Sequence, residues 1–119
     1  MKKHLRLTRK RDFTTTLAGA RLHSGSAMLG FAVVRGPGLP RVGVTVSRQV
    51  RGAVSRNRAK RRLREAVRTV LLANDSGLLD QGIGYDVVLI ARPSALVAEM
   101  GVLQADARAI LEKIRRLPA

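Results

Sequence analysis

The chain has 119 residues, 45% of them apolar, and carries 23 Lys and Arg against 8 Asp and Glu, a formal charge of +15 at pH 7. That length supports one core and one domain over residues 1–119, and the composition excludes a disordered chain, while the lack of cysteine excludes disulfides and thiolate metal sites. No apolar run approaches the roughly 18 residues of a membrane span, and no apolar signal core follows the basic start Met1-Lys2-Lys3-His4-Leu5-Arg6, so a cytoplasmic protein with an anionic partner is expected.

In chain order, residues 7–20 are predicted as a short helix. Phe13 and Leu17 share one face of it, Thr14-Thr15-Thr16 lose rotamer freedom within it, and Gly19 ends it. Residues 27–34 are apolar with little alternation and are predicted as a strand. Gly36-Pro37-Gly38-Leu39-Pro40 is turn chemistry. Residues 41–47 alternate around Val42, Val44 and Val46 and make a half-buried strand, expected to pair with the preceding one as an antiparallel hairpin. Ser55 is the natural N-cap of a helix over residues 56–73. Residues 74–84 contain Asn, Asp, Ser and glycines and form a loop. Residues 85–91 are a strand buried on both faces, ended by Arg92-Pro93-Ser94. A final helix over residues 99–117 turns Val102, Leu103, Ala107, Ile110, Leu111 and Ile114 to the core. The order α-β-β-α-β-α, with one strand–helix–strand unit, implies a parallel pair and an α+β or α/β sandwich.

The middle helix carries the chemistry. With Arg56 at zero, Ala59, Leu63, Ala66, Val67, Val70 and Leu71 occupy an arc from about 280° through 0° to 60°, the core face. Asn57, Lys60, Arg61, Arg64 and Arg68 form a stripe between about 40° and 140°, and Arg58 and Arg62 lie further round, near 200° and 240°. Like charges at these spacings repel, so a helix selected only for folding would interleave acids, and Glu65 is the sole acid here. A stripe left positive suits phosphates, and the Asn57 amide suits RNA edges and sugar hydroxyls. The bland alternatives are a solvated charged face and, for Asn57, a turn contact near the helix start. Eighteen of the 23 basic residues are arginine, whose planar fork favours bidentate phosphate contact. Trp is absent and the charge is spread along the chain, which favours nucleic acid over a membrane surface.

Catalytic constellations are missing. The acids Asp12, Glu65, Asp75, Asp80, Asp86, Glu99, Asp106 and Glu112 form no tight pair for a hard cation, so no metal site on the protein is expected. His4 and His23 have ordinary neighbours, and Gly82-Ile83-Gly84 extends to no dinucleotide or phosphate loop. No catalytic side chain is assigned.

The run Ser55-Arg56-Asn57-Arg58-Ala59-Lys60-Arg61-Arg62-Leu63-Arg64-Glu65 resembles the signature of the bacterial ribonuclease P protein subunit: Arg-Asn-Arg, any residue, Lys-Arg, two residues, Arg. The likeness extends over nearly the whole chain. Leu7-Thr8-Arg9-Lys10-Arg11-Asp12-Phe13 is similar to the family's opening. Arg41-Val42-Gly43-Val44-Thr45-Val46-Ser47 is similar to its central strand, and Tyr85-Asp86-Val87-Val88-Leu89-Ile90-Ala91-Arg92 to its last. The resemblance implies an α+β sandwich of order α-β-β-β-α-β-α, with a central mixed sheet and a left-handed βαβ crossover (ribosomal protein S5 domain 2-like). It implies one protein, as a monomer, on one ribonuclease P RNA subunit. The holoenzyme removes the 5′ leader of precursor tRNA, with hydrolysis performed by the RNA and its Mg²⁺ ions. Arg56, Asn57, Arg58, Lys60, Arg61 and Arg64 would contact the catalytic RNA, with Arg68 continuing the stripe. Phe13 and Phe31 would lie in a leader cleft as stacking or packing surfaces, lined by Arg9, Arg11, Thr45 and Arg48. The alternative for Phe13, paired with Leu17, is plain core. Leu17 stands where the family often has a second aromatic, and Gln49 where it often has a second Lys, so the leader site is expected to have fewer contacts. The competing functional readings are a ribosomal or general RNA-binding protein, and a self-contained nuclease, against which the scattered acids argue.

Overall fold

The computed structural model describes residues 2–117. Its elements are α1 (Lys10–Leu17), β1 (Arg21–Ser24), β2 (Met28–Pro37), β3 (Arg41–Val46), α2 (Ala53–Ala66), β4 (Ile83–Ala91) and α3 (Met100–Arg115). The strands form one mixed sheet in the order β1-β2-β4-β3. β1 and β4 pair antiparallel with β2, and β3 runs parallel to β4. The α+β class and the element order that the resemblance implied are both found.

The hairpin expected of residues 27–34 and 41–47 does not form, because β4 lies between them. The cause is legible in side-chain character. β4 is apolar on both faces, with Tyr85, Val87, Val88 and Leu89 all buried. Such a strand gains most at the centre of a sheet covered on both sides. β3 alternates and takes an edge, where Arg6 bridges Val42 and the Leu7 N–H donates to the Val42 carbonyl at 3.0 Å. That bridge shields the edge and makes Leu5 and Leu7 buried anchors, so the first helix begins at Lys10 rather than at residue 7.

The register divides the sheet into two faces. Met28, Gly30 and Ala32 of β2, Val42, Val44 and Val46 of β3, and Tyr85, Val87, Leu89 and Ala91 of β4 share one face. This face joins Ala59, Leu63, Ala66 and Val67 after it, and Leu103, Ala107, Ile110 and Ile114 of α3, in the main core. The core arc read from the helical period is therefore the one observed. Gly30 admits α3 at close range: a Cβ there would lie 2.8 Å from Ile110 Cδ1. On the opposite face α1 sets the Phe13 ring directly over Gly43, where a Cβ would lie 2.4 Å from Phe13 Cζ. Buried Thr16 bonds back to the Asp12 carbonyl at 2.8 Å. The protein is thus three layers: α1, the sheet, and α2 with α3.

Other boundaries differ from expectation for local reasons. α2 starts at Ala53, with Gly52 as N-cap at φ 88°, so Ser55 lies within the first turn and caps nothing. A positive φ costs glycine little and lets the chain enter the helix sharply. Beyond Ala66 the helix widens into a π-turn over Val67–Leu71. The loop of residues 74–84 contains a 3-10 turn, Leu78–Asp80, pinned by buried Leu78, and its last two residues already belong to β4. Val102 is exposed rather than core. His23 is structural: its Nε2 meets Asp106 Oδ1 at 3.0 Å, while Asp106 Oδ2 accepts the Ala27 N–H at 3.0 Å, tying the β1–β2 turn to α3.

Candidate nucleic-acid interface

α2 buries Ala59, Leu63 and Ala66, which leaves the rest of its circumference to the basic residues. The seven predicted RNA-subunit residues do not form one set. Arg56 turns inward: Nη1 donates to the carbonyls of Ser47 and Val50, both at 3.0 Å, and Nη2 to that of Val46 at 3.3 Å. It closes the turn that links β3 to α2, so its guanidinium is already occupied. Arg62, on the other flank, donates from Nη1 to the Ala95 carbonyl at 2.6 Å and from Nη2 to that of Ala98. It holds the 3-10 turn Pro93–Leu96 against the helix.

Asn57, Arg58 and Arg61 are exposed, and Lys60 and Arg64 are half-buried. Among the described residues, no ion pair involves Arg58, Lys60, Arg61 or Arg64. Asn57, Arg61 and Arg64 line one shallow groove together with Val54. Arg58 lines another with Val54, Ser55, Arg62, Leu96 and Val97. Arg68 is exposed and grips Glu65 with two hydrogen bonds, 2.6 and 3.1 Å. That contact holds the Glu65 carboxyl below its ordinary range and raises Arg68. The N-cap Gly52 supplies no side-chain acceptor and the first turn holds no acid, so the positive end of the helix dipole adds to the field of these cations.

The predicted leader residues lie on the opposite face of the sheet. Phe31 and Gly43 flank Val88 in one cross-strand row, with the Phe13 ring over Gly43, so both aromatics share that face. Thr45 is the next residue of β3 on the same face, level with Ile90 and Leu29. Phe13, Phe31, Leu29, Thr45 and Ile90 are all half-buried, which leaves a partly uncovered apolar strip. Arg48 is exposed in the turn after β3, and Arg9 and Arg11 are exposed at the start of α1. Phe13 is both a packing residue, through Gly43, and a partly open one.

A charged network on this face was missed from sequence. Asp86 is buried and accepts two bonds from Arg41, at 2.9 and 2.8 Å, and one from Arg35 at 3.1 Å. Asp12 of α1 lies 3.5 Å from Arg41. The bond to Asp86 raises the Arg41 pKa, against the opposing pull of burial. The available signal was one acid inside an otherwise apolar strand, since a buried carboxylate needs partners. Among the described residues no three His, Asp or Glu side chains gather into a metal site. No helix among them is long and apolar enough to cross a membrane.

Comparison with known proteins identifies the family and the fold. A family model described as Ribonuclease P matches residues 1–115. A ribonuclease P protein component of Dehalococcoides mccartyi is 37% identical over 117 residues, covering 98% of this chain and 90% of the relative. Two solved structures share the fold. An RNase P protein mutant of Staphylococcus aureus aligns with a TM-score of 0.70 at 22% identity, over 95% of this chain and 90% of that one. The RNase P protein of Thermotoga maritima aligns with a TM-score of 0.68 at 24% identity, over 96% and 98%.

Proposed function

The chain belongs to the ribonuclease P protein family, and from that membership we propose that it is the protein subunit of a tRNA-processing ribonucleoprotein, binding a ribonuclease P RNA through α2 and the 5′ leader of precursor tRNA on the α1 face of its sheet. One observation carries the proposal: the basic helix and the strip bearing Phe13 and Phe31 occupy opposite faces of one four-stranded sheet. Two RNAs can therefore be held at once by a single rigid scaffold. Phosphates meet Arg58, Lys60, Arg61 and Arg64 on one side. A single strand lies across the half-buried aromatics on the other, with Arg9, Arg11 and Arg48 as exposed cations nearby.

The protein supplies binding rather than bond cleavage. Among the described residues the acids are scattered or, like Asp86, paired with arginines, and no three of them gather as a hard cation requires. Mg²⁺ in the holoenzyme would be held by the RNA, and no chemical step is assigned to a side chain of this chain. One monomer per RNA, in the cytoplasm, completes the reading.

The test is reconstitution. Added to a bacterial ribonuclease P RNA at low Mg²⁺, the purified protein should restore 5′ processing of precursor tRNA. Absence of stimulation, with the RNA active at high Mg²⁺, overturns the reading.

A further inference from the structure

The contact between α2 and the RNA can be specified further, on the premise that α2 binds the RNA subunit. Its exposed surface is not one basic stripe but two grooves parted by an apolar crest. Val54 stands on that crest with 81% of its surface exposed and borders both grooves. On one side lie Asn57, Arg61 and Arg64, around a space of about 420 Å³. On the other lies Arg58, in a space of about 640 Å³ whose outer wall is Leu96 and Val97. That wall exists because Arg62 holds it: its two hydrogen bonds to the Ala95 and Ala98 carbonyls fix the turn beside the helix. Arg62 thus builds the second groove with its guanidinium taken up by carbonyls, and leaves Arg58 as the exposed cation within it. Val97, 86% exposed, rims this groove as Val54 crowns the crest.

Arg58 and Arg61 are one turn apart on the helix, yet they line separate grooves on either side of Val54, so a phosphate strand lying in one groove meets only the cations of that groove. Paired RNA offers what this surface needs. Its minor groove is wide and shallow, is bordered by two backbones and exposes sugar hydroxyls and base edges, whereas its major groove is too deep and narrow for side chains to read. A low apolar crest fits a shallow groove, and Asn57, beside it, offers a donor and an acceptor for hydroxyls or base edges.

We infer that α2 straddles a paired segment of the RNA subunit from its minor-groove side, with Val54 in the groove, one backbone against Arg61 and Arg64, and the other against Arg58. Arg56 and Arg62, though part of the same basic run, touch neither backbone.

Backbone footprinting of ribonuclease P RNA with hydroxyl radicals tests this with the full-length protein. The wild type should protect two facing strands of one paired element. Arg61→Ala should uncover one strand and Arg58→Ala the other. Each should flatten the plot of log affinity against log salt by about 0.7–0.9, and the double variant by about twice that. Val54→Asp, at a site too exposed to disturb folding, should weaken binding at least tenfold by placing a carboxylate between the strands. If both arginine variants uncover the same strand, if protection is confined to unpaired nucleotides, or if Val54→Asp binds like the wild type, the straddling geometry is wrong while α2 remains the contact. If none of the three variants alters affinity, slope or footprint, the assignment of α2 to the RNA subunit falls with it.

Discussion

Arg56 and Arg61 stand five positions apart in one helix and do opposite work. The first neutralises three carbonyls in the turn from β3, whereas the second faces solvent. Arg56→Ala should therefore lower folding stability by about 2 kcal/mol, because buried carbonyls lose a charged donor. The salt slope of RNA binding should stay unchanged. Denaturant titration and a salt series check both, and a flattened slope would return Arg56 to the phosphate footprint. Asp86→Asn should cost about 2–3 kcal/mol, since Arg35 and Arg41 lose their shared counter-charge at a buried position. Equal stability of variant and parent in urea would contradict that role. Glu65 sets a negative charge on the solvent side of the same helix, opposed to the proposed RNA contact. Its folded pKa is lowered, so the pair with Arg68 is intact at neutral pH and is lost only as pH falls through that lowered value. Both partners are exposed and the pair adds little to stability. Glu65→Gln should instead strengthen RNA binding a few-fold at low salt, measured by filter retention. Weaker binding would mean that Glu65 orients Arg68 for contact. The division between inward and outward arginines was not legible in the sequence. A helical wheel gives the angle of a side chain, whereas the acceptors that capture Arg56 and Arg62 arrive from other parts of the fold.

At the scale of elements, the close approach of α1 to β3 depends on one glycine. Gly43→Ala would place a methyl group 2.4 Å from the Phe13 ring, so the ring must leave the strand or α1 must lift. A loss of about 1–3 kcal/mol is expected from the overpacking. A weakened preference for precursor over mature tRNA should accompany it, read by comparing the two affinities. Loss of stability with that preference intact would confine Phe13 to packing. Where the sequence was informative, it was through periodicity. The core arc of α2 and the double-sided burial of β4 follow from spacing and from an apolar run that only Asp86 interrupts. Where it misled, a local default was overridden by the whole sheet. Strands adjacent in sequence usually pair, yet β2 and β3 both gain more by pairing with β4, apolar but for Asp86, than with each other. β1, which the resemblance implied, left no mark in the residue pattern because Arg21-Leu22-His23-Ser24 is too short and polar to show alternation, and its half-buried residues are held by β2 and α3.

For the whole molecule, a charge of +15 overstates what is offered to a partner. Arg35, Arg41, Arg56, Arg62, Arg92 and Arg115 all bond to carbonyls or carboxylates of the chain itself. The remaining surplus still repels itself, so the free protein should melt at a higher temperature as salt is raised from low concentration, and should be stabilised further by RNA. Thermal melts over a salt series check this, and a melting point that falls with added salt would argue against net repulsion. The placement of β4 carries a last consequence, for the order of events at the ribosome. Synthesis delivers β2 and β3 early, each with a bare edge facing the other across a gap. The strand that fills the gap emerges only after α2 and the loop that follows it. The nascent chain can therefore lay down hairpin β1–β2 but cannot close its sheet until residue 91 is free. A fragment ending before Ile83 should aggregate through its two open edges rather than persist as a folded half.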